Sequence, residues 1–392
     1  MSFGHHRIDS RRILLREIAA RGRIPRIDLA QRTGISRATV TSVTAELLRD
    51  GLIAEIAPEA APGRGRPKVD LKLRAGAHLV AGVKISAAWI SVLLMDFEGA
   101  ERGGARVELP PGQHSPDALA GYVTGAVMQV LAQHGLDRSD LSAVGVGIAG
   151  IVDAPAGHVH WSPSLTLRNV DLWKPLGAQL GVPAYIDNDA NLVAVAERRF
   201  GLGRQHDNFI VVTIEAGVGM GLFLDGQLYR GTRGCGAEFG HTKVQLDGAL
   251  CRCGQRGCLE AYVADYALER EAQTVLGPGH TGIEGLVAAA QHDRAAASII
   301  KRAGKMFALG LANLVNIFDP SLIILAGEQV RFQRLSARDV LAEMRKSIVQ
   351  VDTPPPKVVI HAQGDEMWAR GAAAYALDFV MDDAARTAGD AV

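Results

Sequence analysis

No part of this chain is apolar for long enough to cross a bilayer. Its longest uncharged apolar run, LSAVGVGIAGIV from Leu141 to Val152, falls well short of the roughly 20 residues that a spanning helix needs, so a membrane partner is not expected. Cysteine is scarce as well. Four cysteines, Cys235, Cys251, Cys253 and Cys258, sit close together in a chain of 392 residues, which excludes a disulfide framework. The opening MSFGHHRIDSRR runs straight into charge and has no apolar leader segment, so the expected compartment is a reducing cytoplasm. Net charge is also missing, with 42 Lys and Arg against 42 Asp and Glu. That zero hides an asymmetry. Residues 1–74 carry 15 Lys and Arg against 8 Asp and Glu, a net of +7, and the remainder carries 27 against 34, a net of −7. A basic head on an acidic body is the distribution expected when one domain meets phosphate and the other does not.

Length predicts two or three domains. The head contains three helix patterns. DSRRILLREIAARG places Ile13, Leu14, Glu17 and Ile18 in helical register behind an Asp9 or Ser10 cap. PRIDLAQRTG opens with Pro25 near its first turn and closes on Gly34, and SRATVTSVTAELLRDG has Ser36 as cap and Gly51 as stop. The short RTGIS turn between the last two suits a helix-turn-helix. Val40, Val43 and Leu47 share one face of the third helix, leaving Ala38, Thr41, Ser42, Ala45 and Arg49 on a face of mostly small side chains that fits a major groove. Arg37 stands at its N-terminal end. Two apolar strands then flank a Pro/Gly-rich tip with Arg64, Arg66 and Lys68, a wing suited to a minor groove. The head thus predicts a winged helix-turn-helix that binds double-stranded DNA, through Ser36, Arg37, Thr41, Ser42, Arg64, Arg66 and Lys68. A three-helix protein-interaction module with a solvated loop is the blander reading.

From residue 76 strands alternate with helices, which predicts an α/β body. NFIVVTIEAGVGMGLFLDGQLYRG repeats the strand, small-residue turn, strand pattern of HLVAGVKISAAWISVLLMDFEG. Two such hairpins suggest a duplicated, two-lobed fold of the actin-like and sugar-kinase (ribonuclease H-like) type, in which hairpin turns cradle nucleotide phosphates.

The basic winged head, NDAN at Asn188–Asn191, GAEFGH at Gly236–His241 and CRCGQRGCLE at Cys251–Glu260 together resemble the ROK family of repressors, open reading frames and kinases. The likeness is to its repressor branch, that of xylose and N-acetylglucosamine repressors. LANLVNIFDPSLIILAGEQV at Leu311–Val330 and RGAAAYAL at Arg370–Leu377 resemble further family segments. The resemblance implies a first lobe of residues 76–189 plus 367–392 and a second of 190–366, after a head of 1–74.

His241, Cys251, Cys253 and Cys258 are spaced His-x9-Cys-x-Cys-x4-Cys. One imidazole and three thiolates make a closed tetrahedral set suited to one structural zinc per chain; the alternative is chance clustering with the thiols acting as small hydrophobes. Cys235 is the rival fourth ligand. The family pattern has a small variable residue there, which reads Cys235 as free. The resemblance also implies a sugar pocket. Asp189 matches the family's catalytic base, Asn188 a hydroxyl-binding neighbour, and Glu238, His241 and Glu260 complete the ring. Ser164 stands where sugar-binding members often carry asparagine.

The nucleotide side departs from the kinase pattern. Where kinases of the family carry Asp-x-Gly-Gly-Thr, this chain has Lys84-Ile85-Ser86-Ala87-Ala88, and Glu215-Ala216-Gly217 replaces Gly-Thr-Gly. A cation stands in place of an acid, a carboxylate sits where polyphosphate would lie, and both glycines of the first loop are lost. The expected function is a sugar-responsive transcriptional regulator, most simply a repressor, with kinase activity lost. It would be a homodimer or dimer of dimers on a palindromic operator, with a monosaccharide or sugar derivative as effector. The alternatives are a kinase of this fold that also binds DNA, and a regulator whose body senses no sugar.

Overall fold

A computed structural model describes residues 3–56, 69–277, 282–327, 337–349, 351–362, 364 and 366–387. The chain forms two compact units, one of Met1–Gly150, Ala154–Asp187 and Ala369–Val392, the other of Ile151–Asp153 and Asn188–Trp368. The head is grouped with the first unit, and Arg11 and Arg16 of its first helix bond to Ala384 and Asp382 of the last helix. The later boundary falls between Asp187 and Asn188, since Asn188 caps the helix that begins at Asp189 and goes with it.

Three helices, Phe3–Arg21, Arg26–Thr33 and Arg37–Arg49, build the head. A small antiparallel sheet in the order Ile24–Pro25, Asp70–Leu73, Ile53–Ile56 supplies the base of the wing. The first helix starts upstream of the cap expected at Asp9 or Ser10. Both residues lie inside it, and Asp9 pairs with Arg12 instead. Its buried stripe is Arg11, Leu14, Leu15 and Ile18, one helical face at spacings of three and four. Ile13, expected on that face, is exposed. Pro25 precedes the second helix in an extended conformation, and Gly34 ends it in the left-handed region. Ser36 caps the third helix by accepting the Thr39 amide at 3.2 Å, and Val40, Val43 and Leu47 are buried beneath it.

The rest of the first unit carries a five-stranded sheet in the order Ala184–Asn188, Leu141–Ile148, Leu79–Ile85, Trp89–Asp96, Glu101–Glu108. The second unit repeats that order with Lys357–Ala362, Leu322–Gly327, Phe209–Ile214, Val218–Leu224, Gln227–Tyr229. In each sheet the first three strands in sequence form an antiparallel meander, and the fourth pairs parallel with the first. This is the expected duplication, an α/β body with the strand pattern written twice.

The last helix, Glu366–Thr387, begins in the second unit and continues into the first. Met367 and Trp368 join a core cluster with Val193, Ala194 and Phe209 of the second unit. Further along, its alanine-rich stretch lies against the middle of the first sheet. A Cβ on Gly82 would stand 1.9 Å from the Ala369 carbonyl oxygen, and one on Gly145 1.9 Å from that of Ala372. Glycine on the strands and alanine on the helix together permit this approach.

Candidate metal centre and carboxylate cluster

Chemistry gathers in the second unit after Tyr229. Phe239 is buried in the core, and Gly240 lies so close to the strand Val218–Leu224 that a Cβ would meet the Val218 carbonyl oxygen at 2.4 Å. These two residues clamp the short 3-10 turn Phe239–His241. Ala237 just before it holds a φ of 65°, a left-handed conformation that costs a residue with a side chain. The turn sets His241 Nε2 at 3.9 Å from Glu238 Oε2.

The other ring nitrogen of His241 faces sulfur. Nδ1 lies 3.8 Å from Cys251 Sγ, Cys253 Sγ lies 3.8 Å from Cys258 Sγ, and all four ligand atoms fall within 4.8 Å of one another. Thiolates at about 2.3 Å from a tetrahedral zinc stand roughly 3.8 Å apart, so the spacing fits such an ion. The loop folds back on itself through antiparallel bridges between Lys243 and Cys258 and between Leu250 and Arg256. Gly257 makes the return possible, with a φ of 76° and its Cβ position 1.8 Å from the Gln245 carbonyl oxygen. Burial pushes the Cys251 thiol up to about 12, whereas a coordinated cation acts in the opposite direction and favours the thiolate. Burial acts the same way on Cys253 but is outweighed, and that thiol is lowered by the Gln255 amide, the neighbouring thiols and the Lys243 charge. Cys235 lies outside the set, exposed, with its thiol donating to the Arg233 carbonyl at 3.4 Å.

Three carboxylates gather beside the cluster. Glu260 opens the short helix Glu260–Val263, and its Oε2 accepts the Val218 amide at 3.3 Å. Asp189 opens the helix Asp189–Phe200, capped by Asn188, whose Oδ1 accepts from the Ala190 and Asn191 amides at 2.9 and 3.3 Å. Burial first, then the charges of Glu260 and Asp189, push Glu238 up to about 7. Asn188, Asp189, Glu238, His241 and Glu260 are all half-buried in the second unit, polar yet still reachable from solvent. The structure draws Asp189, Glu238 and Glu260 into one electrostatic neighbourhood and joins His241 to it. The Asn188 oxygen, expected to serve a hydroxyl, serves a helix terminus first. Ser164 lies in the first unit, its amide bonded to Ser162 Oγ at 3.2 Å.

Both hairpin turns spend backbone donors internally. The Ser86 amide donates to the Trp89 carbonyl at 2.8 Å and the Glu215 amide to that of Gly217 at 2.8 Å, while Val218 is taken by Glu260. Lys84 is buried at the end of its strand, with Ser86–Ala88 forming the turn and Ala216 exposed in the other.

On the head, Ser36, Arg37, Thr41 and Ser42 are all exposed. Their hydroxyls are locally engaged: Ser36 caps, Thr41 donates to the Arg37 carbonyl at 2.8 Å, and Ser42 to Glu46 Oε1 at 3.4 Å. Arg64, Arg66 and Lys68 lie outside the described residues. No helix among the described residues is long and apolar enough to cross a membrane.

Sequence reasoning missed two supports of the metal loop. Lys243 donates to Cys258 Sγ at 3.0 Å and to Gln255 Oε1 at 2.7 Å. Tyr266 sets its hydroxyl 3.6 Å from Cys251 Sγ and 3.4 Å from Glu260 Oε1. Neither stands in a motif, and only the fold brings them to the thiolates.

Residues 80–378 match the ROK family, and residues 9–54 match a winged helix-turn-helix DNA-binding family. The xylose repressor of Bacillus subtilis (strain 168) is 26% identical over 95% of this chain and 96% of its own length. A solved ROK family transcriptional regulator, a homologue of the Escherichia coli MLC protein, superposes with a TM-score of 0.82 over 98% of this chain and 99% of its own, at 23% identity. A ROK family glucokinase from Streptomyces griseus, solved with glucose and AMPPNP, is 30% identical, with a TM-score of 0.65 over 76% of this chain and 99% of its own.

Proposed function

Because the chain belongs to the ROK family, we propose that it is a sugar-responsive, DNA-binding transcriptional repressor. The observation that carries this reading is the extent of the matches. The xylose repressor aligns along almost the whole of both chains, whereas the glucokinase aligns with 76% of this one. The winged head, residues 9–54, lies outside the ROK match of residues 80–378, and its third helix exposes Arg37, Thr41 and Ser42.

In this reading the body senses a monosaccharide or sugar derivative through Asn188, Asp189, Glu238, His241 and Glu260. Clustered carboxylates and an amide suit a polyol, since each hydroxyl both donates and accepts. One zinc held by His241, Cys251, Cys253 and Cys258 supplies positive charge and a fixed crosslink. Its donor set is closed, which suits a structural ion. His241 presents one nitrogen to the metal set and the other toward Glu238, so holding the first orients the second. Arg64, Arg66 and Lys68 would add wing contacts, and a homodimer or dimer of dimers would place two heads on a palindromic operator.

Kinase activity is read as lost. Lys84 and Ser86–Ala88 replace the first phosphate loop, Glu215 and Ala216 alter the second, and the Ser86, Glu215 and Val218 amides are already bonded. Phosphoryl transfer depends on such donors and on charge neutralisation. The 30% identity to a glucokinase keeps one other reading in play, a sugar kinase that also binds DNA.

One experiment separates the readings. The full chain is screened for melting shifts with D-xylose, D-glucose, N-acetylglucosamine and their phosphates. Affinity for a duplex selected by the chain from random sequence is then measured with and without each sugar that raises melting, alongside ATP consumption. A sugar-dependent loss of DNA affinity without ATP turnover is expected. Equal affinities would overturn the switch, and turnover would favour the kinase.

A further inference from the structure

The exposed face of the third helix consists of Arg37, Ala38, Thr41, Ser42, Ala45 and Arg49. Its two hydroxyls each have a fixed direction. Thr41 Oγ1 lies 2.8 Å from the Arg37 carbonyl oxygen, and Ser42 Oγ lies 3.4 Å from Glu46 Oε1. A carbonyl and a carboxylate only accept, so in both bonds the hydroxyl is the donor. Ser36 has no such direction imposed on it, because its hydroxyl faces that of Thr39 at 2.8 Å and either can donate.

Glu46 is itself held from behind. It is buried on the inner side of the same helix, where the first helix of the head supplies Arg7 Nε at 3.2 Å and Arg11 Nη1 at 3.3 Å to Oε2, and Arg7 Nη2 at 2.6 Å to Oε1. Ser42 is the second donor on Oε1. A carboxylate has about four acceptor sites, and in Glu46 all of them are used.

The consequence lies on the outer side. A hydroxyl has one proton and two lone pairs. With their protons turned inward, Thr41 and Ser42 offer the solvent side lone pairs alone. Turning either proton outward breaks the bond it makes, and at Ser42 it takes a donor from a charged group, the costlier kind to lose. Accepting breaks nothing. The donors of this face are guanidiniums. Arg49 stands 3.9 Å from Asp50 Oδ1, whereas Arg37 has no ion pair among the described residues.

We infer that this helix recognises bases by hydrogen-bond polarity: Thr41 and Ser42 accept from the exocyclic amino groups of adenine or cytosine in the major groove, Arg37 donates to guanine, and Glu46 is the positioning residue that fixes the polarity of Ser42. Each base pair shows the major groove one amino donor and one keto oxygen, on opposite strands. A hydroxyl that only accepts makes a bond with the first and sets lone pair against lone pair with the second. At two pairs the helix therefore selects the strand that carries the amino group. The inference rests on the DNA-binding reading of the head and adds the chemistry that the head recognises.

The test uses the full chain and the duplex it selects from random sequence. Arg37→Ala, Thr41→Val and Ser42→Ala each reveal the pair that the residue reads, as the pair where preference relaxes. For Arg37 a guanine–cytosine pair is expected, with roughly 5–150-fold of its preference lost, as for a bidentate contact. At the other two pairs base analogues separate the groups. Purine for adenine, or 2-pyrimidinone for cytosine, removes the amino group; 5-methyl-2-pyrimidinone for thymine, or 2-aminopurine for guanine, removes the keto oxygen. Loss of the amino group should weaken the parent chain roughly two- to tenfold more than the variant that lacks the hydroxyl, as for one neutral hydrogen bond. Loss of the keto oxygen should weaken both alike. In Glu46→Gln the side-chain amide can donate to Ser42 and release its proton, so the amino dependence should vanish at the Ser42 pair and persist at the Thr41 pair; should that chain not fold, the hydroxyl variants decide alone. A keto oxygen coupled to either hydroxyl, an amino group coupled to neither, or a pair without guanine opposite Arg37 overturns the inference and leaves the DNA-binding reading standing. Failure to select any duplex overturns both.

Discussion

The two five-stranded sheets share one strand order, yet they differ in the connection that leaves the third strand. In the first unit residues 109–140 hold one long helix, Pro116–Gln133, before the fourth strand begins at Leu141. In the second unit residues 230–321 intervene, with the clamped turn, the metal loop, Glu260 and a set of helices ending in Arg294–Phe318. The repeated frame is generic. A strand order is satisfied by alternating apolar residues and tolerates long connections, because loop closure costs grow slowly with length. The specific chemistry sits in one connection and at one helix start, Asn188–Asp189, both on the second frame.

Perturbations that strike one frame and spare the other sharpen this contrast. Cys258→Ser is expected to have the largest effect, since on the proposed reading of the His241, Cys251, Cys253 and Cys258 cluster the ion contributes folding free energy directly. Elemental analysis should show the metal gone. Amide exchange should show the loop around Gly240–Glu260 open at a cost of several kcal/mol, on the order of what structural metals supply, with the strand Leu141–Ile148 still protected. Equal loss of protection in both sheets would break the comparison. Gly82→Val reverses the target. Its side chain would drive into the Ala369 carbonyl, so about 3 kcal/mol should be lost by denaturant titration, at the upper end for overpacking, with metal content retained.

Asp189→Asn should leave both frames standing. A tenfold to hundredfold weaker sugar affinity is expected by calorimetric titration, about the 1.5–3 kcal/mol of a charged hydrogen bond, with sugar-free DNA affinity unchanged. Loss of DNA binding in that variant would show that the head does not act alone in reading DNA. The smallest effect belongs to the head itself. Ser36→Ala removes the cap of the third helix and should cost about 1 kcal/mol, visible as faster exchange at Thr39 and Val40 and untouched in either sheet.

The sequence makes these regions legible to different degrees. Local patterns give the head helices from Pro25 onward, because a cap, a left-handed glycine and an apolar face are short-range features. The first helix misleads at its start and at Ile13. Its true stripe begins with a charged residue, Arg11, and a buried arginine defeats a hydrophobic pattern unless its partners are known. Glu46 holds the matching clue, an acid beside Leu47 on a buried face of the third helix. The cluster of His241, Cys251, Cys253 and Cys258 can be read because its members lie close in sequence. Lys243 and Tyr266 cannot, since their roles depend on where the loop returns. Asn188 reads as a sugar contact, but its position before a helix makes it a cap as well.

The last helix also orders events in time. Gly82 and Gly145 stay uncovered until the alanines that lie on them have been made, with Ala372 as the marker. At typical synthesis rates of about 5–20 residues per second, residues 82 to 372 emerge over roughly 15–60 s. The sheet that is synthesised first is therefore completed last. During that interval its open face is a client for chaperones, and a truncated product ending before Ala369 would carry that exposed face permanently.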